Sequence, residues 1–156
     1  MKPKNIISLV VAVAIPVVIG ALSGVATQSG VTTWYLTLAK PELNPPSWIF
    51  APVWTTLFVL MGVASWLVWR QVTSGKRLAL VVYGIQLALN ALWSLLFFGL
   101  HNPGAALIEI AVLWLAIAVT GILFWRISKP AAALLIPYLA WVSFASYLNY
   151  MIWVLN

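Results

Sequence analysis

Across five apolar stretches, at 6–26, 48–69, 78–100, 104–125 and 131–155, the sequence places a single formally charged side chain, Glu109. Backbone N–H and C=O groups find no water in a bilayer core, so only a helix or a closed barrel satisfies them there. Each stretch is about 21 to 25 residues long, enough to cross a ~30 Å hydrocarbon core as a helix. The expected fold is therefore an all-α integral membrane protein, a five-transmembrane-helix bundle. Residues 1–156 form one domain, and 27–47 is its only long connection.

The eight basic residues against two acidic ones leave a net charge of +6. Their placement reads as topology. Lys2 and Lys4 precede the first stretch; Arg70, Lys76 and Arg77 fall between the second and third, and Arg126 and Lys129 between the fourth and fifth. With five crossings these segments share one side of the membrane, and only Lys40 lies opposite. By the positive-inside rule the N-terminus is expected in the cytoplasm and the C-terminus outside. No basic patch interleaved with exposed aromatics remains for a nucleic acid, so that partner class is excluded.

Cysteine is absent, which removes disulfides, thiolate metal sites and cysteine nucleophiles. The first stretch has a rival reading as a cleaved secretory signal, with Lys2 and Lys4 ahead of it and small residues at Gly24 and Ala26. Its apolar run exceeds the 7 to 15 residues usual for a signal core. It is read as a retained span.

The connection at 27–47 carries Pro41, Pro45 and Pro46, which forbid a continuous helix through its second half. Trp34, Tyr35, Leu36 and Leu38 are too apolar for a free loop in water. They suit either an aromatic belt at the interface or a proline-stiffened lid over the bundle. The distribution of polar residues favours the lid. Trp54, Asn90, Trp93, Ser94, Glu109, Ser143, Ser146, Tyr147 and Asn149 all fall in the half of the spans nearest this connection. Polar groups in hydrocarbon face the bundle interior or a cavity, so a cavity opening outward beneath the lid is expected.

Helical periodicity sorts these positions into faces. In the third span Gln86, Asn90, Trp93 and Phe97 share one stripe, and Gly84, Ala88 and Ala91 share the opposite one. The second span groups Trp54, Phe58, Met61 and Ser65; the fifth groups Trp141, Ala145 and Leu148, flanked by Tyr138 and Asn149. These faces suit a ligand pocket, or equally an aromatic helix interface with buried amides joining the helices. The small-residue stripe suits close helix approach, within the protein or between subunits.

Four segments carry a family resemblance: WYLTLAKPELNPPSW at 34–48, PVWTTLFVLMGVASWLVW at 52–69, QLALNALWSLLFF at 86–98 and PYLAWVSFASYLN at 137–149. Together they resemble the TspO/MBR family of tryptophan-rich sensory and translocator proteins, over essentially the whole chain. The resemblance implies a five-helix membrane receptor or sensor that binds porphyrins and other hydrophobic ligands, takes part in tetrapyrrole handling or stress responses, and usually forms a homodimer. A bacterial cell membrane is the expected location. Carried over by motif, the ligand-binding residues are Tyr35, Pro45, Trp54, Phe58, Asn90, Trp93, Trp141 and Ala145. Broad aromatic faces suit stacking on a flat macrocycle, and a few polar groups suit orientation. The cholesterol pattern of animal members needs a basic residue soon after a tyrosine. None follows Tyr150, and the reversed match from Arg77 through Tyr83 to Leu87 is weak, so sterol recognition is not expected there.

Conventional enzyme chemistry is not indicated. His101 is the only histidine and sits in a short connection, no carboxylates are paired, and no metal-ligand cluster exists. No cofactor is required beyond a porphyrin as ligand. Glu109, as a carboxylate within a span, is a functional candidate by its position, although a hydrogen bond to Asn149 or Tyr147 would also account for it. The resemblance offers one chemical alternative, light-driven oxidative breakdown of bound porphyrin by Trp54 and Trp141. Transport is a weaker alternative, since five spans cannot divide into the equal repeats common in transporters.

Overall fold

The computed structural model describes residues 3–156, and its regular elements among those residues are all helical. Lys2 lies outside the described residues. Helix α1 covers Pro3–Thr32, α2 is a single turn at Trp34–Thr37, α3 covers Phe50–Trp69, α4 Lys76–Ser94, α5 Pro103–Ile127, α6 Lys129–Ala133 and α7 Ile136–Leu155. A 3-10 turn at Ser47–Ile49 leads into α3, and a π turn at Leu95–Gly99 extends α4. Five helical segments, Lys4–Thr32, Ser47–Trp69, Lys76–Gly99, Pro103–Ile127 and Lys129–Leu155, are long and apolar enough to cross a membrane.

Two boundaries differ from the sequence reading. The first helix continues past 26 to Thr32, with no proline to stop it before Pro41, and the hydroxyls of Thr27 and Thr32 bond back to the carbonyls of Ser23 and Gln28 within it. The last span is broken at Leu134 and Leu135, where the chain tightens ahead of Pro137. Proline disfavours helical backbone in the preceding residue and cannot donate to the carbonyl four residues back. At the other break the sequence marks the boundary well: Asn102 caps α5 by accepting from the Ala105 N–H at 3.0 Å, with Pro103 next in line.

Around the bundle α1 packs on α3 and on the upper end of α4; α4 packs on α5, α5 on α7, and α3 on α6, the foot of the last span. Between helices in lipid the hydrophobic effect supplies little drive, so close packing and hydrogen bonds carry association. Gly62 shows how. A Cβ there would lie 2.5 Å from the Val13 Cα and 2.7 Å from the Ala12 carbonyl oxygen. Pro16 leaves that same carbonyl without its helical donor, and the bare Gly62 backbone is what lets α3 come against it. Lower down, the Trp66 indole donates to the Ser8 hydroxyl at 3.0 Å.

The core lies where α3, α4, α5 and α7 meet, around Met61, Ile110, Leu113, Phe124, Tyr138 and Val142. A second cluster sits at the lid end around Tyr35, Phe97, Ala106 and Ile152, and Trp93 packs against both. Exposed leucine, isoleucine and valine side chains cover the outside of α1, α4 and α5, as expected for surfaces that meet lipid.

Candidate functional site

On α3, Phe50, Trp54 and Phe58 follow at four-residue intervals and so share a face. On α7, Tyr138 and Trp141 stand one turn apart. The two faces meet as a ladder of rings. Phe50 and Trp141 meet edge to face at 6.0 Å, Trp54 and Tyr138 at 6.4 Å, while Trp54 stacks on Phe58 at 5.6 Å. Trp54 and Trp141 thus occupy diagonal rungs, each paired with a different ring. Beside the ladder a largely apolar groove of about 620 Å³ runs between α3 and α7, lined by Pro52, Leu57 and Leu60 on one side and Pro137, Ala140 and Trp141 on the other.

Behind the rings is a chain of buried hydrogen bonds. Asn90 Nδ2 donates to the Tyr138 hydroxyl at 3.1 Å, that hydroxyl donates to Gln86 Oε1 at 2.9 Å, and Gln86 Nε2 reaches Met61 Sδ at 3.8 Å. One layer closer to the lid, Trp93 Nε1 donates to Asn149 Oδ1 at 3.0 Å and Asn149 Nδ2 to the Pro103 carbonyl at 2.8 Å. Satisfied networks of this kind rigidify a core. The third-span stripe therefore faces inward, while Gly84 and Ala88 on its opposite face are exposed.

The lid is seated. Tyr35 is buried against Phe97 and Phe98 of the π turn, at 6.3 and 5.4 Å. Its hydroxyl donates to Asn44 Oδ1 at 2.9 Å, and Asn44 Nδ2 donates to the Pro45 carbonyl. Burial raises the Tyr35 phenol above its ordinary pKa, opposed in smaller measure by the Asn44 bond, so the donating proton stays in place. Lys40 lies 4.7 Å over the Tyr35 ring and donates to the Leu38 carbonyl. Trp34 stacks on His101 at 4.6 Å. The Asn156 side chain pairs with both backbone groups of Ala39, at 3.0 and 3.1 Å, tying the end of α7 to the lid.

The residues singled out from the sequence thus fall into two groups. Trp54 and Asn90 contact Tyr138 directly, and Phe58, Trp141 and Ala145 belong to the same core. Tyr35 and Pro45 belong to the lid layer, and Trp93 joins the two. A lateral groove lies beside them at Trp141, and Phe97 and Phe98 pack against Tyr35 of the lid. Ser143 and Tyr147 point outward, although Ser143 accepts from the Trp114 indole at 2.8 Å. Sequence reasoning missed Phe50, the Tyr138 hydroxyl as hub, and the Asn156 tie. Phe50 was detectable, standing one turn before Trp54; the other two depend on partners far away in the chain.

Glu109 is buried, with both carboxyl oxygens shielded and without a hydrogen-bond partner; the indole N–H of Trp141 is in the same state. Neither Asn149 nor Tyr147 satisfies the carboxyl.

The chain matches the TspO/MBR family profile over residues 12–154. It belongs to the TspO/MBR family. It is 43% identical to the tryptophan-rich protein TspO of Chlorobaculum tepidum, with 98% of each chain covered. With the human translocator protein it shares 42% identity over 77% of this chain and 73% of that one. It is 38% identical to the tryptophan-rich sensory protein of Cereibacter sphaeroides, over 79% and 77% of the two chains. As a TspO/MBR protein with five membrane-spanning helices, it is an integral membrane protein. The aromatic ladder and the seated lid draw most of their residues from the four segments that carry the resemblance, with Phe50, His101 and Asn156 added from outside them.

Proposed function

We propose that this protein is a membrane receptor or sensor that binds porphyrins, and other flat hydrophobic ligands, along the α3–α7 ring ladder at the groove beside Trp141. The observation that carries this reading is the ladder itself. Five aromatic rings from two helices stand at pairwise separations of 5.6 to 6.4 Å, beside a groove of about 620 Å³, and ligand sites of about 300 to 1,000 Å³ with a few placed polar groups are the usual form. Protoporphyrin IX titrated into the protein in lipid nanodiscs should quench tryptophan fluorescence saturably. Quenching that rises linearly, or equally with empty nanodiscs, would sink the reading. Tetrapyrrole handling or stress sensing, with the N-terminus in the cytoplasm of a bacterial cell and a homodimer as the working unit, completes the proposal. The names of relatives, translocator protein and tryptophan-rich sensory protein, are consistent with a receptor or sensor role.

A second reading, light-driven breakdown of the bound porphyrin, draws on the placement of Trp54 against Tyr138 and of Trp141 against Phe50. Two oxidisable indoles at diagonal rungs would exchange electrons with an excited ligand, and dissolved dioxygen would be the oxidant consumed as the macrocycle is oxidised. Illumination of the complex separates the readings, because a receptor leaves the porphyrin spectrum no faster to bleach than free porphyrin does.

A further inference from the structure

At the end of the bundle opposite the lid, α5 and the foot of the last span border a second groove, of about 410 Å³. Ile117 and Leu135, both buried, belong to its floor, and Ile122, Trp125 and Ile136, all exposed, belong to its rims. It lies on a different face of α7 from the ring ladder, since Ile136 and Leu139 line this groove and Pro137 and Trp141 the other. Gly121 lines it too. A Cβ there would have no other atom within 4 Å, so the groove is open where a larger residue would fill it.

The mouth of this groove is cationic. Arg126, in the last turn of α5, lines it nine residues beyond Ile117, about 13 Å along the helix. Only Ser128 separates α5 from α6, and Lys129 follows at once with its ammonium 5.6 Å over the Trp125 ring. Neither cation has a side-chain carboxylate of this chain at its end of the bundle. Glu42 is in the lid connection, and Glu109 stands seventeen residues before Arg126, about 25 Å of helix. The groove therefore joins an apolar length to a positive mouth at the edge of a membrane-spanning segment. A small free anion would leave the apolar length uncovered, and a neutral hydrocarbon chain would leave the guanidinium unmatched.

We propose that this groove is a site for one anionic phospholipid of the surrounding bilayer, with an acyl chain lying along it over Gly121 and the phosphate held by Arg126, Lys129 alongside. The planar guanidinium fork matches two phosphate oxygens at once, and basic pockets between membrane helices suit anionic headgroups. A zwitterionic headgroup carries its own ammonium beside the phosphate, which Arg126 and Lys129 repel. The site thus selects on net headgroup charge. It is separate from the ring ladder and does not depend on what binds there.

Native mass spectrometry of the full chain released from detergent micelles reads bound lipid directly. Titrated with dioleoyl phosphatidylglycerol and dioleoyl phosphatidylcholine, wild type should take up one phosphatidylglycerol about tenfold more tightly than phosphatidylcholine. Arg126→Gln should lower phosphatidylglycerol affinity about fivefold, as expected for one cation at a headgroup, and Gly121→Leu should lower it at least as much by filling the space of the chain. Arg77→Gln removes a charge from the same side of the bundle, outside the groove, and should leave affinity nearly unchanged. Melting temperatures without added lipid separate loss of the site from loss of the fold, and Arg126 is exposed, so its replacement leaves the core alone. Equal binding of the two lipids by wild type, equal losses in Arg77→Gln and Arg126→Gln, or undiminished binding by a folded Gly121→Leu would each overturn the proposal. Oleic acid bound as tightly as phosphatidylglycerol would overturn it as well, making a fatty acid the occupant.

Discussion

The Trp93 indole donates to the Asn149 side chain at 3.0 Å, joining α4 to α7 at the level where the lid cluster meets the main core. Trp93 also stacks on Phe97, 5.3 Å away, on which the lid rests. Asn149 in turn holds the first carbonyl of α5. One bond thus couples three helices to the seating of the lid. Asn149→Leu removes the acceptor and strands the indole N–H, while the Pro103 carbonyl keeps only its helical donor. It should cost about 1 to 3 kcal/mol of stability, read as a lower thermal midpoint in detergent, with protease cleavage at 38–46 accelerated if the lid loosens. An unchanged midpoint would show the bond to be dispensable.

Replacing Trp54 or Trp141 by Leu should remove stacking worth about 0.5 to 1.5 kcal/mol beyond area burial, lowering porphyrin affinity several-fold. Phe at either position should bind better than Leu yet abolish any photo-oxidation, because phenylalanine gives up an electron far less readily than indole. Trp66 is the control. It is buried beside Ser8 and under Arg70, 4.4 Å away, outside the ladder, so Trp66→Leu should lower stability and leave affinity alone. Affinity lost in Trp66→Leu and kept in the other two would place the ligand elsewhere.

The lid tie at Asn156 offers a kinetic test. Asn156→Ala deletes both bonds to Ala39 while leaving the ring ladder intact. Stopped-flow mixing with protoporphyrin IX should show faster association and dissociation, with the equilibrium constant moving less than either rate. Identical rates would mean that ligands reach the site through the lateral groove without the lid moving.

For assembly, the open surface is on α4. Gly84 has no other atom within 4 Å of where a Cβ would stand, and Ala88 beside it is exposed. On α1, Gly20 and Gly24 stand four residues apart, a GxxxG spacing that also suits close helix approach, but Gly20 is occupied by the Phe58 ring and only Gly24 has open space. Ala88→Leu should therefore shift the detergent-solubilised protein from dimer toward monomer in light scattering, with porphyrin binding retained. A dimer that persists would exclude this face.

Orientation follows from the basic bias alone. Because no native cysteine exists, a single cysteine placed after Asn156 should label in intact cells with an impermeant maleimide, whereas one at Arg77 should label only after lysis. The reverse pattern would invert the bundle.

Much of this protein is legible in its sequence because the bilayer imposes a one-dimensional rule. Apolar length and the satisfaction of backbone groups mark five spans whatever their neighbours, and the 3.6-residue period turned Gln86, Asn90 and Phe97 to one side and Gly84 and Ala88 to the other. Tertiary structure alone decided what those faces meet. Thr27 to Thr32 stayed helical and shortened the lid. Phe97 and Phe98 packed against Tyr35 of the lid, and a groove opened to the side at Trp141. Periodicity assigns a side chain to a face but carries no distance to another helix. Whether the Asn149 amide donates to Glu109, as the sequence allowed, or to the Pro103 carbonyl depends on helix register and tilt, and the carbonyl holds that donor while Glu109 has none.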